Sequence, residues 1–205
     1  MLSDLLTDPQ CVLVFPFEVR QLTNTQETAI ARCLTALYGK GIKTTRKVIP
    51  AAVEHAGKLR IPGGGDTIHA CCMVKRPRDG RDASFVRYQK LVDRRAHNHR
   101  ATPDFEIKDF WGQVQNIFIL RLDTNAAQAL GLDAPRVLFL AEITRCRVEA
   151  FDDLGNRYYK DMGATEVVDL NAIQCVVGRI KDRKQWAIID RSGPLAQAAF
   201  VPNTS

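Results

Sequence analysis

Hydrophobic positions along the chain follow two periods, one early and one late. Ala29, Ile30, Cys33, Leu34, Leu37 and Tyr38 recur at helical spacing. Ahead of them, Asn24-Thr25-Gln26-Glu27 sets a cap residue three positions before a Glu, the spacing of a capping box. Gly39 and Gly41 supply a stop. This pattern predicts a helix over about residues 25–38. Pro50, suited to a first helical turn, leads through "AAVEHA" to Gly57 and predicts a second, short helix.

After Gly57 the period shortens. "KLRI" alternates and "TIHACCMV" is apolar and partly β-branched, which predicts a strand. "RPRDGRD" has the composition of a turn. "ASFVRYQKLVD", "FWGQVQNIFILRL", "RVLFLAEITRCRVEAF", "VVDLNAIQCVVGRI" and "QWAIIDRS" all read as strands. "NAAQALGLDAP" is a small helical or loop insertion, "DDLGN" a turn, and "KDRK" a polar hairpin connection. Strands joined by short turns, without long helices between them, imply an antiparallel sheet that curls or closes into a small barrel. The expected class is α+β: a helical N-terminal region over 1–57, then a β-rich, barrel-like domain over 58–205.

Composition leaves this picture in place. Of 205 residues, 45% are hydrophobic and 25% charged, which is ordinary for a globular chain. No run approaches eighteen apolar residues, and the N-terminus lacks the basic lead of a secretory signal. The six cysteines are scattered among apolar neighbours, so they read as buried free thiols of a reducing, intracellular compartment. No membrane partner is expected.

Charge changes the picture more. The formal net charge is +6, but it is segregated. Lys40 through Arg100 holds fifteen Lys/Arg against five Asp/Glu, a net of +10. The remainder holds fourteen against eighteen, a net of −4. A bias confined to one segment points to a polyanion-facing surface or to a solvated face without a partner. The candidate nucleic-acid contacts are Lys75, Arg76, Arg78, Arg81, Arg87, Arg94, Arg95 and Arg100, on two turns flanking one strand. Phe85 and Tyr88 lie among them, placed either to stack on unpaired bases or to fill the core. No helix-turn-helix, finger or RNP motif accompanies them, so sequence-specific readout is not expected.

Enzymatic candidates each lack a partner. The glycines of "GGGDTIHACC", residues 63–72, are followed by Asp66 rather than by Lys-Ser/Thr, and by a strand-like segment rather than a helix. That fits neither a phosphate loop nor a dinucleotide fingerprint. His69, Cys71, His97 and His99 make a composite zinc set without any Cys-x-x-Cys pair. Cys71 or Cys72 with His55 or His97 would be a Cys–His nucleophile, but nothing marks a lowered thiol pKa or an oxyanion hole. Asp169 and Asp190 end apolar strands, as carboxylates of two-metal nucleases do, yet only fifteen residues follow Asp190. No cofactor, metal or catalytic residue is assigned.

Four blocks of the second half carry a resemblance: "GRDASFVRYQKLVD" (80–93), "FWGQVQNIFIL" (110–120), "YYKDMGATEVVDLNAIQCVVGRIKDR" (158–183) and "WAIIDRSGPLAQA" (186–198). They resemble a segment of fungal, basidiomycete mobile-element proteins of the transposase class, outside the catalytic core. A looser likeness is to bromo-adjacent-homology barrels, through "FWGQVQNIFIL" and an element running from Val168 through Ile173 to Val177. The first resemblance implies a transposon-derived, non-enzymatic module that contacts DNA in the nucleus, or a remnant of a metal-dependent transposase. The second implies a chromatin reader with an aromatic cage drawn from Trp111, Tyr158 and Tyr159.

Overall fold

The computed structural model describes residues 7–8, 11–61, 67–75, 82–98, 102–151 and 156–190. Strands β1 (Thr7–Asp8) and β2 (Cys11–Gln21) come first, followed by helices α1 (Asn24–Tyr38) and α2 (Ile42–Lys47). Next are β3 (Ala52–Arg60), β4 (Thr67–His69), β5 (Phe85–Asp93), β6 (Phe105–Leu122), α3 (Thr124–Leu130), β7 (Arg136–Phe151) and β8 (Arg157–Asp169). A 3-10 turn (Leu170–Ala172), β9 (Ile173–Val176), β10 (Gly178–Asp182) and β11 (Gln185–Ile189) complete the order.

The class agrees with the sequence in outline only. Mostly antiparallel strands form a curled sheet and helices are a minor part, but the helices do not lead. An eleven-residue strand, β2, precedes them and pairs with β3 along its length. The expected helix from Pro50 to Gly57 is instead strand β3. Its alternating burial, with Val53 and His55 inward, belongs to a sheet face rather than a helix stripe. The division at residue 57 therefore falls inside a strand.

α1 forms where its period and caps predict it, one residue out of register with the expected capping box. Thr23 is the cap, its hydroxyl accepting from the Gln26 N–H, while the Gln26 side chain accepts from the Thr23 N–H. Gly39 ends the helix at φ +65°, the left-handed conformation that favours glycine.

The sheet order is β1-β2-β3-β6-β7-β8-β11-β10, with β4 on β3 and with β5 bridging β6 and β9. β6 organises it. One edge pairs with β5 over Phe105–Gln113 and then with β3 over Ile117–Ile119, and the other pairs with β7 from Gly112 onward. The β9–β5 pairing brings the chain after β8 back to β5, so the sheet curls round a core of Val86, Tyr88, Val114, Ile117, Ile143 and Ile173. A bulge between Val114 and Asn116 puts Val114 and Ile117, three apart, on this same inner face. Phe118, Leu120 and Leu122 face the other way, against Ile30 and Leu34 of α1 and Leu130 of α3.

At Gly112, β7 leaves no room for a side chain on β6. A Cβ there would lie 2.5 Å from Ile143 Cγ2 and 2.7 Å from the Thr144 carbonyl oxygen. That oxygen belongs to the β-ladder and has little room to shift. Gly112→Ala is expected to destabilise the fold by about 1–3 kcal/mol in urea titration. Gly163→Ala, whose nearest neighbour would be 3.4 Å away, should stay near wild type.

Candidate polyanion-binding surface

From Thr28 to Val53 the chain has five cations, Arg32, Lys40, Lys43, Arg46 and Lys47, and no carboxylate. Folding gathers this stretch into one helical corner. The buried Thr45 hydroxyl donates to the Ile42 carbonyl and lies 3.1 Å from the Thr35 hydroxyl, which seats α2 on α1. Arg46 faces back toward α1, pairing with Glu27 at 3.2 Å and donating to the Thr28 hydroxyl at 2.9 Å. The Lys40 ammonium packs beside Gly131, the left-handed cap that ends α3.

Lys43 and Lys47 are exposed and enter no ion pair among the described residues. They stand one helical turn apart, where like charges raise the energy of the free helix slightly and concentrate its field. Beside Lys47 opens a cleft of about 400 Å³ between the end of α2, the end of β6 and α3. Lys47 and Arg121 contribute its cations, Ile49, Pro50, Ala126 and Ala129 its apolar surface, and Asn125 an amide. Asp123 is its one carboxylate; it caps α3 by accepting from the Ala126 N–H at 2.8 Å. Arg121 donates to Glu54 at 2.9 Å.

The described candidate cations of the 75–100 segment, Lys75, Arg87, Arg94 and Arg95, are dispersed. Lys75 is exposed, at the end of a turn whose Cys71 and Cys72 amides donate to the Val114 and Gln115 carbonyls. Arg94 pairs with Glu106 at 2.6 Å, nine residues back along β6, which is roughly 30 Å of strand. Arg95 lies 4.0 Å from Asp104. Arg87 faces the hairpin formed by β10 and β11 and pairs with Asp190 at 3.5 Å. Arg76, Arg78, Arg81 and Arg100 lie outside the described residues. Phe85 and Tyr88 are buried, so neither offers a stacking face.

The aromatic residues of the second half form a separate cluster with their own cations. Trp111 and Tyr159 share a small core with Phe85, Cys146, Val177 and Ile188, and Tyr158, the preceding residue on its strand, points to the opposite face of β8. The space over Trp111 holds the Arg157 guanidinium, 4.2 Å from the ring. Arg179 lies between Phe85 and Trp186, 3.4 and 4.7 Å from their centroids, and donates to the Tyr159 hydroxyl and to Asp82. The three aromatics expected to make a cage therefore do not converge, and the two that meet already carry an internal cation.

The remaining candidates have structural partners. Asp169 caps the 3-10 turn by accepting from the Asn171 N–H. Asp190 accepts from the Trp111 indole and pairs with Arg87. Asp169 pairs with Leu140, which pairs with Phe118, so the two carboxylates are seven β6 positions apart, roughly 20 Å. A shared metal pair needs about 4 Å. The segment "TIHACCMV" is a strand only over Thr67–His69, and the cysteines sit in the following turn with both thiols directed at Gln115, 3.0 and 3.8 Å from its Oε1. Burial pushes the Cys71 thiol up to about 12, away from a reactive thiolate. Cys72 is exposed, unlike the buried thiol expected, while burial also pushes Cys33 and Cys146 to about 12.

His55 is enclosed between α1 and the sheet, and burial holds its pKa below the ordinary value. Its Nδ1 is 3.4 Å from Asn116 Oδ1. Asn116 Nδ2 donates to Glu142 at 2.6 Å, as does Gln26 at 3.1 Å. A carboxylate only accepts, so Asn116 turns its amide nitrogen to Glu142 and its oxygen to His55. His55 must then carry its proton on Nδ1.

Lys43 and Lys47 lie inside the charge-biased segment but outside the 75–100 stretch where its cations are densest. The sequence signal for them is the missing carboxylates between Thr28 and Val53, not a density of cations. Compared with known proteins, the chain matches no family model, no curated protein and no solved structure.

Proposed function

We propose that this protein is a non-catalytic binding module for the nucleic-acid backbone. The observation that carries the reading is the stretch from Thr28 to Val53, which has five cations and no carboxylate, with Lys43 and Lys47 exposed on α2 and in no ion pair among the described residues. Such a surface attracts phosphate without selecting sequence. Lys75 adds an exposed cation further along β6, and the likeness of the second half to mobile-element proteins fits a DNA partner in the nucleus. Arg87, Arg94 and Arg95 have carboxylate partners, so within the 75–100 segment the reading keeps Lys75, Arg76, Arg78, Arg81 and Arg100 as contacts.

Fluorescence anisotropy with labelled DNA should show binding at low salt that weakens linearly in log–log coordinates as salt rises. Replacing Lys43 and Lys47 together by Ala should shallow that slope by about 2, near one for each phosphate no longer neutralised. Replacing Arg76, Arg78 and Arg81 by Ala tests the contribution of that segment in the same way. No binding at low salt would overturn the reading.

A further inference from the structure

We infer that the cleft between α2 and α3 receives one unpaired nucleotide, so the protein prefers single-stranded to double-stranded nucleic acid. This rests on the backbone-binding reading and adds the form of the partner. At about 400 Å³ the cleft falls within the range of small-ligand sites. Its residues divide as a nucleotide does. Lys47 presents a cation suited to a phosphate, beside Arg121, which is held by Glu54, and Asp123, which caps α3; Ile49, Pro50 and Ala129 give an apolar surface for a sugar or base face, and Asn125 offers donors and an acceptor to a base edge.

A base paired and stacked in a duplex cannot enter such a recess without being extruded, which costs unstacking and unpairing. An unpaired strand has little of that cost. Leu37 and Ile42, 45% and 41% exposed at the same corner, would also suit an anionic bilayer. Neither lines the cleft, and two such side chains are few for insertion into a bilayer, which favours the strand.

Ala129 is exposed, so Ala129→Leu should narrow the cleft without adding a stacking ring and leave the fold intact, as a thermal melt would verify. Anisotropy would compare a labelled oligothymidylate with a duplex of equal length, for the wild type, Ala129→Leu and Lys47→Ala. The wild type should favour the single strand by about tenfold, and Ala129→Leu should lower that preference severalfold. Lys47→Ala should weaken both.

Equal wild-type affinity for the two forms, or a preference untouched by Ala129→Leu, would overturn the inference and leave the backbone reading standing. Failure to bind either form at low salt would overturn both. Lys47-dependent binding to phosphatidylserine vesicles without binding to oligonucleotide would assign the corner to a membrane surface and also overturn both.

Discussion

Asn116→Ala is expected to destabilise the protein by about 2–4 kcal/mol, out of proportion to the loss of one small side chain. Asn116 is 6% exposed and joins His55 to Glu142, themselves 1% and 7% exposed. Among the described residues, its removal leaves His55 Nδ1 without its acceptor, on a ring whose Nε2 already has no hydrogen-bond partner. It also leaves a buried carboxylate that, among the same residues, only the Gln26 amide holds. The carboxylate dominates, because an ionised group loses more than a neutral one when a hydrogen bond is removed in a dry setting.

Urea denaturation followed by circular dichroism would measure this loss. Combining the change with Glu142→Gln should restore part of the stability, since an uncharged amide tolerates the same site better. Additive losses in the double variant would show that the network does not act as a unit. Because Gln26 also closes the capping box of α1, the variant should loosen the start of that helix before the rest of the fold.

Arg179→Ala should cost about 2–3 kcal/mol and act on the other end of the molecule. The guanidinium fills the gap between Phe85 and Trp186 while holding Asp82 and the Tyr159 hydroxyl, with its side chain only 15% exposed. Deleting it opens a hole between two rings and leaves Asp82, 18% exposed at its side chain, without its cation. Arg179→Lys should recover little, because an ammonium cannot stack as a plane or reach both oxygens in a fork. Trp186 lies beside the site, so a red shift and loss of intensity in its fluorescence at low urea would report local opening of the β10–β11 hairpin. Full recovery by lysine would refute the stacking account.

The sequence made some of this legible and hid the rest for identifiable reasons. α1 was readable because its apolar stripe, cap and glycine stop are local. β5, β6, β7 and β11 were readable because β-branched and aromatic residues are concentrated in each, between turn signals. "AAVEHA" misled because a small-residue run after proline suits a helix start. Its pairing with β2 and β6, which decides the matter, involves residues dozens of positions away. "VVDLNAIQCVVGRI" looked continuous because its apolar content is, yet Asp169 caps a turn that breaks it into β8, β9 and β10.

The same distinction runs through the candidate site. Charge segregation is a property of composition, and the sequence alone determined that the middle of the chain is cationic. Which cations remain without a carboxylate partner depends on contacts across the fold, such as Arg87 with Asp190 and Arg179 with Asp82. The cleft required α2, the end of β6 and α3 to meet, and no local pattern announces such a meeting. Periodicity and caps are written in neighbouring residues, so the chain by itself determined its strands, its first helix and its charge bias. Pairing, burial and recesses arise between distant residues, so only the tertiary structure decided that Lys43 and Lys47 stand exposed at the α2 corner with no ion pair among the described residues.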